Sequence, residues 1–171
     1  SGKNLFLDPG RIYGNYQEMF KKEQDLSSDS RIDFVSIVTP NNSHYEIIME
    51  ALDSGFHVVC DKPITINSQQ AIEVEKKVLE TKKLFCLTHN YTGYPMVKEA
   101  KDILADNHLG NIRKVVVEYP QGWLATRIEK DTPVWRTNPQ IAGISSCMGD
   151  IGTHCENLVQ YITGLQIVEL C

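Results

Sequence analysis

The sequence predicts an α/β protein in which half of a doubly wound parallel sheet leads into the opening of an α+β unit. Three observations carry that expectation. Apolar, β-branched runs at residues 32–38, 56–60 and 84–88 have the length and composition of buried parallel strands. Two capped amphipathic stretches lie between them, which makes right-handed β-α-β crossovers. After Asn90 the rhythm changes to a helix, an alternating strand, a long loop and a second helix.

Each element follows from local signals. Residues 11–13 read as a short strand, and Asn15 caps a helix reaching about Lys22. The polar run over residues 24–30 is a surface loop. The strand at residues 32–38 closes at Thr39-Pro40. Asn42 or Ser43 then caps a helix whose apolar face is Ile47, Ile48, Ala51 and Leu52, ended by Gly55. The next strand runs into Asp61-Lys62-Pro63, where trans is the ordinary geometry of the proline bond and cis the alternative. Asn67 and Gln70 form a capping box for a helix with Ile72, Val74, Val78 and Leu79 on its apolar face. Further on, residues 96–104 read as a helix, 112–119 as a strand and 120–142 as an irregular loop holding Trp123 and Trp135. Residues 149–162 read as a second helix and 166–171 as the start of another strand. The expected division is 1–90 and 91–171.

Composition excludes several classes. With 171 residues, 42% hydrophobic and 23% charged, the chain is neither disordered, collagenous nor a coiled coil. A chain of this length buries roughly 70% of its unfolded surface, enough for a core without staples. A net charge of −5 with no clustered basic face gives no footprint for nucleic acid or for an anionic membrane. No apolar run approaches the ~20 residues of a membrane span, and the polar start is no signal peptide, so a soluble protein is expected. Cys60, Cys86, Cys147, Cys155 and Cys171 are odd in number and irregular in spacing. The expected state is buried, reduced thiols in a reducing cytoplasm.

Two places could carry chemistry. Lys62 stands at the carboxyl end of a parallel strand, where open α/β sheets bind ligands. Its ammonium there can face a developing negative charge; the alternative is a solvated turn lysine. Asp150 and His154 are four apart on a helix and share a face. A carboxylate one turn from an imidazole suits a general base, the alternative being a surface pair worth tenths of a kcal/mol. Gly149 and Gly152 favour the first reading, because glycine in a helix costs about 1 kcal/mol and close approach of a backbone or ligand would explain it. Thr39-Pro40-Asn41 and His44 precede a helix N-terminus and could touch a ribose or phosphate; a plain turn and cap explains them equally. His89-Asn90-Tyr91 and Trp135-Arg136 are weaker signals. No nucleophile elbow or phosphate-binding loop is present. No metal is expected, since His154 and Cys155 are adjacent and point about 100° apart on a helix.

Taken together, residues 32–40 with His44, then Asp61-Lys62-Pro63, then Gly149-Asp150 and His154, resemble the glucose–fructose oxidoreductase/inositol dehydrogenase (Gfo/Idh/MocA) family in content, order and separation. The resemblance implies a partial Rossmann-type dinucleotide-binding domain over 1–90 and a partial substrate domain with an open sheet over 91–171. It implies NAD or NADP as cofactor and hydride transfer at a secondary alcohol of a sugar, polyol or related compound. Lys62 matches the family's lysine at cofactor and substrate, with Asp61 in place of the more usual Glu. His154 would take the hydroxyl proton, Lys62 would steady the alkoxide, and Asp150 would orient the substrate and the imidazole. Thr39, Pro40, Asn41, His44 and Asp61 would line the cofactor, and Tyr91, Trp135 and Arg136 would face the substrate. A homo-oligomer is expected.

The family's opening strand, Gly-x-Gly-x-x-Gly turn and helix have no counterpart in this sequence, and without that turn the pyrophosphate loses its helix N-terminus. The expectation is therefore the middle of a longer protein, with Ser1-Gly2 a cloning remnant. This stretch alone would be inactive and would bind dinucleotide weakly or not at all. Dinucleotide preference and substrate identity are not legible in it. The alternatives are a sensor that binds dinucleotide without turnover, which would have no use for Lys62, Asp150 and His154, and a short structural or interaction protein.

Overall fold

In the computed structural model, which describes residues 7–126 and 134–170, the chain divides into the units Ser1–Leu87 and Thr88–Cys171. In the first, β1 (Phe34–Ile37) and β2 (His57–Asp61) run parallel with Phe34 opposite His57 and Ile37 opposite Cys60. β3 (Phe85–Thr88) lies on the other side of β2, so the order is β1-β2-β3. Leu84 ties it on, its carbonyl accepting from Val58 N at 3.0 Å and its N–H donating to His57 Nδ1 at 2.9 Å.

Three helices serve this sheet: α1 (Tyr16–Gln24), α2 (His44–Asp53) and α3 (Ser68–Thr81). Asn15 and Asn67 cap α1 and α3, accepting from Glu18 N at 2.8 Å and Gln70 N at 2.9 Å. The expected box at α3 closes in that direction only, because Gln70 Oε1 is buried without a partner. At α2 the expected side-chain cap is absent. A 3₁₀ turn, Asn41–Ser43, enters the helix directly, and Ser43 Oγ turns back to Thr39 Oγ1 (2.7 Å) and Pro40 O (2.8 Å). Gly55 takes φ +80° beyond the helix end, where a Cβ would strain the backbone.

The core is Ile47, Ile48, Ala51 and Leu52 of α2 against Val35, Ile37, Val58 and Cys60 of the sheet, closed by Phe20, Phe56 and Val74. Each fully buried large side chain contributes about 1.5–3 kcal/mol. One expectation fails here. The strands were to be buried on both faces, yet Phe34 and Val38 are exposed, and so are Ile72 and Leu79 of α3 and Cys86 of β3. Two right-handed crossovers that step the same way across a sheet place both helices on one face. Within this unit the crossovers therefore put α2 and α3 on one face, and alternate residues of β1 point away from them.

Cysteine burial follows the same line. Cys60 is fully buried and its thiol is pushed up to about 12, chiefly by burial and then by the Asp61 carboxylate. Cys86 and Cys147 are exposed and Cys155 is intermediate, which corrects the expectation of buried thiols; Cys171 lies outside the described residues.

Residues 11–13 form no strand. A 3₁₀ turn, Pro9–Arg11, takes that place and serves a buried carboxylate. Glu23 is 1% exposed and accepts from Arg11 (2.9 and 2.5 Å), Tyr13 Oη (2.5 Å) and Ile32 N (3.0 Å). Burial is the largest single influence and opposes ionisation, but the three donors together outweigh it and hold the carboxyl below its usual range. A depressed carboxyl contributes stability that is present above the unfolded-state value and lost as pH falls through the folded one. Glu23→Gln is therefore expected to cost about 1.5–3 kcal/mol at neutral pH and progressively less in acid. Urea unfolding of both proteins across that range checks it, and a gap that does not narrow in acid would count against the network.

In the second unit, α4 (Pro95–Ala105) opens on a proline at its first position, and the chain later forms a short α5 (Pro139–Ala142) capped by Asn138. α6 (Thr153–Thr163) packs on α4, with Lys101 Nζ 4.4 Å from the Tyr161 ring centre. The strand expected over residues 112–119 does not form, nor does one over 166–170; the expected loop includes residues 127–133, outside the described residues. A strand needs a hydrogen-bonded neighbour, and this unit offers none among the described residues. The helix expected over 149–162 begins instead with a π turn, Met148–Gly152, in which Thr153 N donates to Met148 O.

Candidate functional site

The first set of expected residues gathers at the carboxyl ends of β1 and β2. Because Ile37 faces Cys60 in register, the loops bearing Thr39 and Lys62 leave the sheet side by side. Thr39, Pro40 and Asp61 are exposed, Lys62 is half-buried and Asn41 is buried. The Lys62–Pro63 bond is cis, not the trans form that proline bonds usually take. Beyond it, Ile64 packs on the core and Thr65 Oγ1 donates to Asn67 O at 2.7 Å, which anchors the loop to the cap of α3.

His44 differs from its expected role. It is fully buried, with Nδ1 2.9 Å from Pro63 O and Nε2 2.8 Å from Thr39 O. A ring closed in this way presents nothing to a dinucleotide. It braces one loop against the other, one residue past Lys62.

The second set lies in the unit Thr88–Cys171. Asp150 sits in the π turn and His154 in the first turn of α6. Asp150 helps to line a cavity of about 380 Å³ together with Tyr119, Trp123, Leu124, Arg136 and Met148. That is within the size range of small-molecule sites. Arg136 Nε stands 3.9 Å from Asp150 Oδ1, and its guanidinium lies 4.5 Å from the Trp135 ring centre. A half-exposed pair at that distance orients more than it stabilises. The close approach expected at Gly152 comes from Met148, whose thioether end would lie 2.7 Å from an added Cβ.

His154 is 5% exposed and stands off the cavity wall, covered by Tyr91. Their ring centres are 4.4 Å apart at 38°, and His89 meets the same imidazole edge-on at 5.5 Å. Tyr91 thus lies on His154 rather than among the described cavity residues. Tyr119, unremarked in the sequence, does line the cavity and shares a 2.9 Å hydroxyl–hydroxyl bond with Tyr91. Nothing in the sequence pairs residues 28 apart in this way.

Comparison with known proteins gives a consistent result. Residues 13–91 match the model of an oxidoreductase family with an NAD-binding Rossmann fold, and residues 97–171 match the GFO/IDH/MocA C-terminal domain. An uncharacterized oxidoreductase, YfiI, of Bacillus subtilis is 37% identical over 94% of this chain and 41% of its own length. Levoglucosan dehydrogenase of Pseudarthrobacter phenanthrenivorans is 30% identical over 94% of this chain and 40% of its own. The crystal structure of an inositol dehydrogenase homolog from Azotobacter vinelandii, complexed with NAD+, superposes with a TM-score of 0.88. It is 33% identical and covers 95% of this chain and 42% of its own. The chain therefore spans about two fifths of the length of these relatives.

Proposed function

Because the chain belongs to the Gfo/Idh/MocA oxidoreductase family, we propose that it is part of an NAD(P)-dependent dehydrogenase acting on a secondary alcohol of a neutral sugar or polyol. The observation that carries this reading is Asp150 in the wall of a 380 Å³ cavity with His154 one turn on, nearly buried beneath Tyr91.

The cavity wall argues for the substrate class. Arg136 faces the carboxylate of Asp150 and lies against Trp135, so the wall's two charges offset each other. Trp123, Leu124 and Met148 supply apolar surface, which suits the C–H face of a cyclic polyol. Two relatives that bear a neutral substrate in their names, levoglucosan dehydrogenase and the inositol dehydrogenase homolog, support this class. Glucose-6-phosphate 3-dehydrogenase of Bacillus subtilis, 29% identical, names a charged sugar, so the test includes sugar phosphates.

In this reading the nicotinamide, when bound, supplies the two-electron acceptor for the hydride of the carbinol C–H. The residues at the carboxyl ends of β1 and β2 fit a dinucleotide: adjacent parallel strands deliver Thr39, Pro40, Asn41 and Asp61 to the crevice where open α/β sheets hold such ligands. His154 receives the hydroxyl proton, Asp150 orients the substrate and the imidazole, and the Lys62 ammonium steadies the alkoxide oxygen as it forms. Trp135 and Arg136 complete the substrate side, while Tyr91 covers His154. The reading extends to a homo-oligomer in a reducing cytoplasm, and light scattering measures the first part.

The test is a panel of neutral polyols, sugar phosphates and sugar acids, given to the full-length protein with NAD and with NADP and followed by reduced-nicotinamide absorbance. Neutral polyols are expected to turn over, with kcat/KM for the charged analogues lower by at least roughly tenfold, the effect of placing an unmatched charge in such a wall. No reduction with any member under either dinucleotide would overturn the reading.

A further inference from the structure

An imidazole that must take a proton from one particular hydroxyl has to be held in one plane, because rotation about its last side-chain bond carries the nitrogen away and can put a ring carbon in its place. His154 carries the Tyr91 ring on one side at 4.4 Å and the His89 edge at 5.5 Å. Tyr91 comes from a 3₁₀ turn, Asn90–Gly93, not from a long helix. Its ring therefore needs an anchor of its own. Tyr94 stacks on it at 5.9 Å and 20°, and Tyr119 meets it edge-on at 5.9 Å and 68° while joining its hydroxyl at 2.9 Å. Contact thus passes from the cavity wall through Tyr119 and Tyr91 to His154.

From this geometry we propose that the Tyr91–Tyr119 hydroxyl pair positions His154: Tyr119 pins the Tyr91 ring over the imidazole and so fixes the plane in which the imidazole meets the substrate. Tyr119 is a positioning residue here, acting through Tyr91. The Tyr91 phenol is pushed up to about 12, first by its bond to Tyr119 and then by burial, with charge on Tyr119, Tyr94 and Asp150 adding to the effect. The Tyr91 hydroxyl thus keeps its proton throughout the range in which a histidine base works. The structural half of the proposal stands on these contacts; its effect on turnover rests on the dehydrogenase reading above.

Tyr119→Phe and Tyr91→Phe each remove one hydroxyl and keep the ring, so both break the same bond. In NMR spectra of the chain, the ring-current displacement of the two carbon-bound protons of His154 is expected to change in both variants. In the full-length protein both are expected to lower kcat about tenfold, the scale of a small misplacement of a catalytic group, with KM held within about twofold. The double variant is expected to be no worse than either single one, since both hydroxyls serve one bond. Unmoved His154 resonances would overturn the proposal without reference to activity. So would a raised KM at unchanged kcat, which marks a substrate contact, or losses that add in the double variant. If the wild-type protein oxidises no polyol, the dehydrogenase reading fails, and the His154 resonances still decide whether the pair seats the ring.

Discussion

His154→Asn in the full-length protein is expected to lower kcat by roughly 10²–10⁴-fold, the contribution of a general base. The argument begins with placement. His154 is fixed by the first turn of α6 and covered by Tyr91 and His89, and Asp150 lies in the turn before it, on the cavity wall. Asparagine can still occupy the space beside Tyr91, yet it cannot accept and release a proton at working pH. An interaction needed only in the transition state should appear in kcat and kcat/KM together, with KM little changed. Because the residue is buried, thermal unfolding of the variant must accompany the kinetics, so that lost activity is not lost structure. Near-normal turnover in a folded variant would remove His154 from the mechanism.

The second large effect is on stability. His44→Ala is expected to destabilise the protein by about 3 kcal/mol, which combines the cavity left by a fully buried ring with the loss of the ring N–H that it offers between the Thr39 and Pro63 carbonyls. Thr39 O and Pro63 O both lie on loops that leave the sheet next to the expected dinucleotide residues. His44→Gln, which can reach one carbonyl, should recover part of the loss. Urea unfolding gives the comparison. If alanine is tolerated within about 0.5 kcal/mol, the scale of an ordinary surface change, His44 is not the brace between the loops.

Much of this fold can be read before any coordinates are seen, and the readable parts share a cause. The face Ile47, Ile48, Ala51 and Leu52 recurs at helical spacing and is buried as expected. Asn15 and Asn67 act on backbone amides three residues away, so their caps are local. Features that depend on distant partners were not legible. An apolar run such as residues 34–38 looks the same whether one face of the sheet is covered or both, and Phe34 and Val38 prove exposed. The 112–119 alternation marks a willingness to pair without naming a neighbour. Among the candidate residues, Lys62, Asp150 and His154 stand out in the sequence because chemistry-bearing residues in short motifs carry their spacing with them. His44 looked like part of a ligand-facing loop, and only the positions of Thr39 O and Pro63 O show it turned inward. Tyr119 gave no signal, since its importance lies in a hydroxyl that belongs to a turn far back in the chain.

The π turn at Met148–Gly152 has a consequence for how such a site tolerates change. A π turn is a helix that has absorbed one surplus residue. Delete a single residue there and the turn can close into regular α geometry with its flanks kept in place, so that the residues re-aimed are those of the turn itself. Asp150 would leave the cavity wall while α6 stayed where it is. A one-residue deletion in this turn is therefore a steering adjustment: it re-aims the carboxylate against a fixed imidazole without disturbing the packing of α6 on α4.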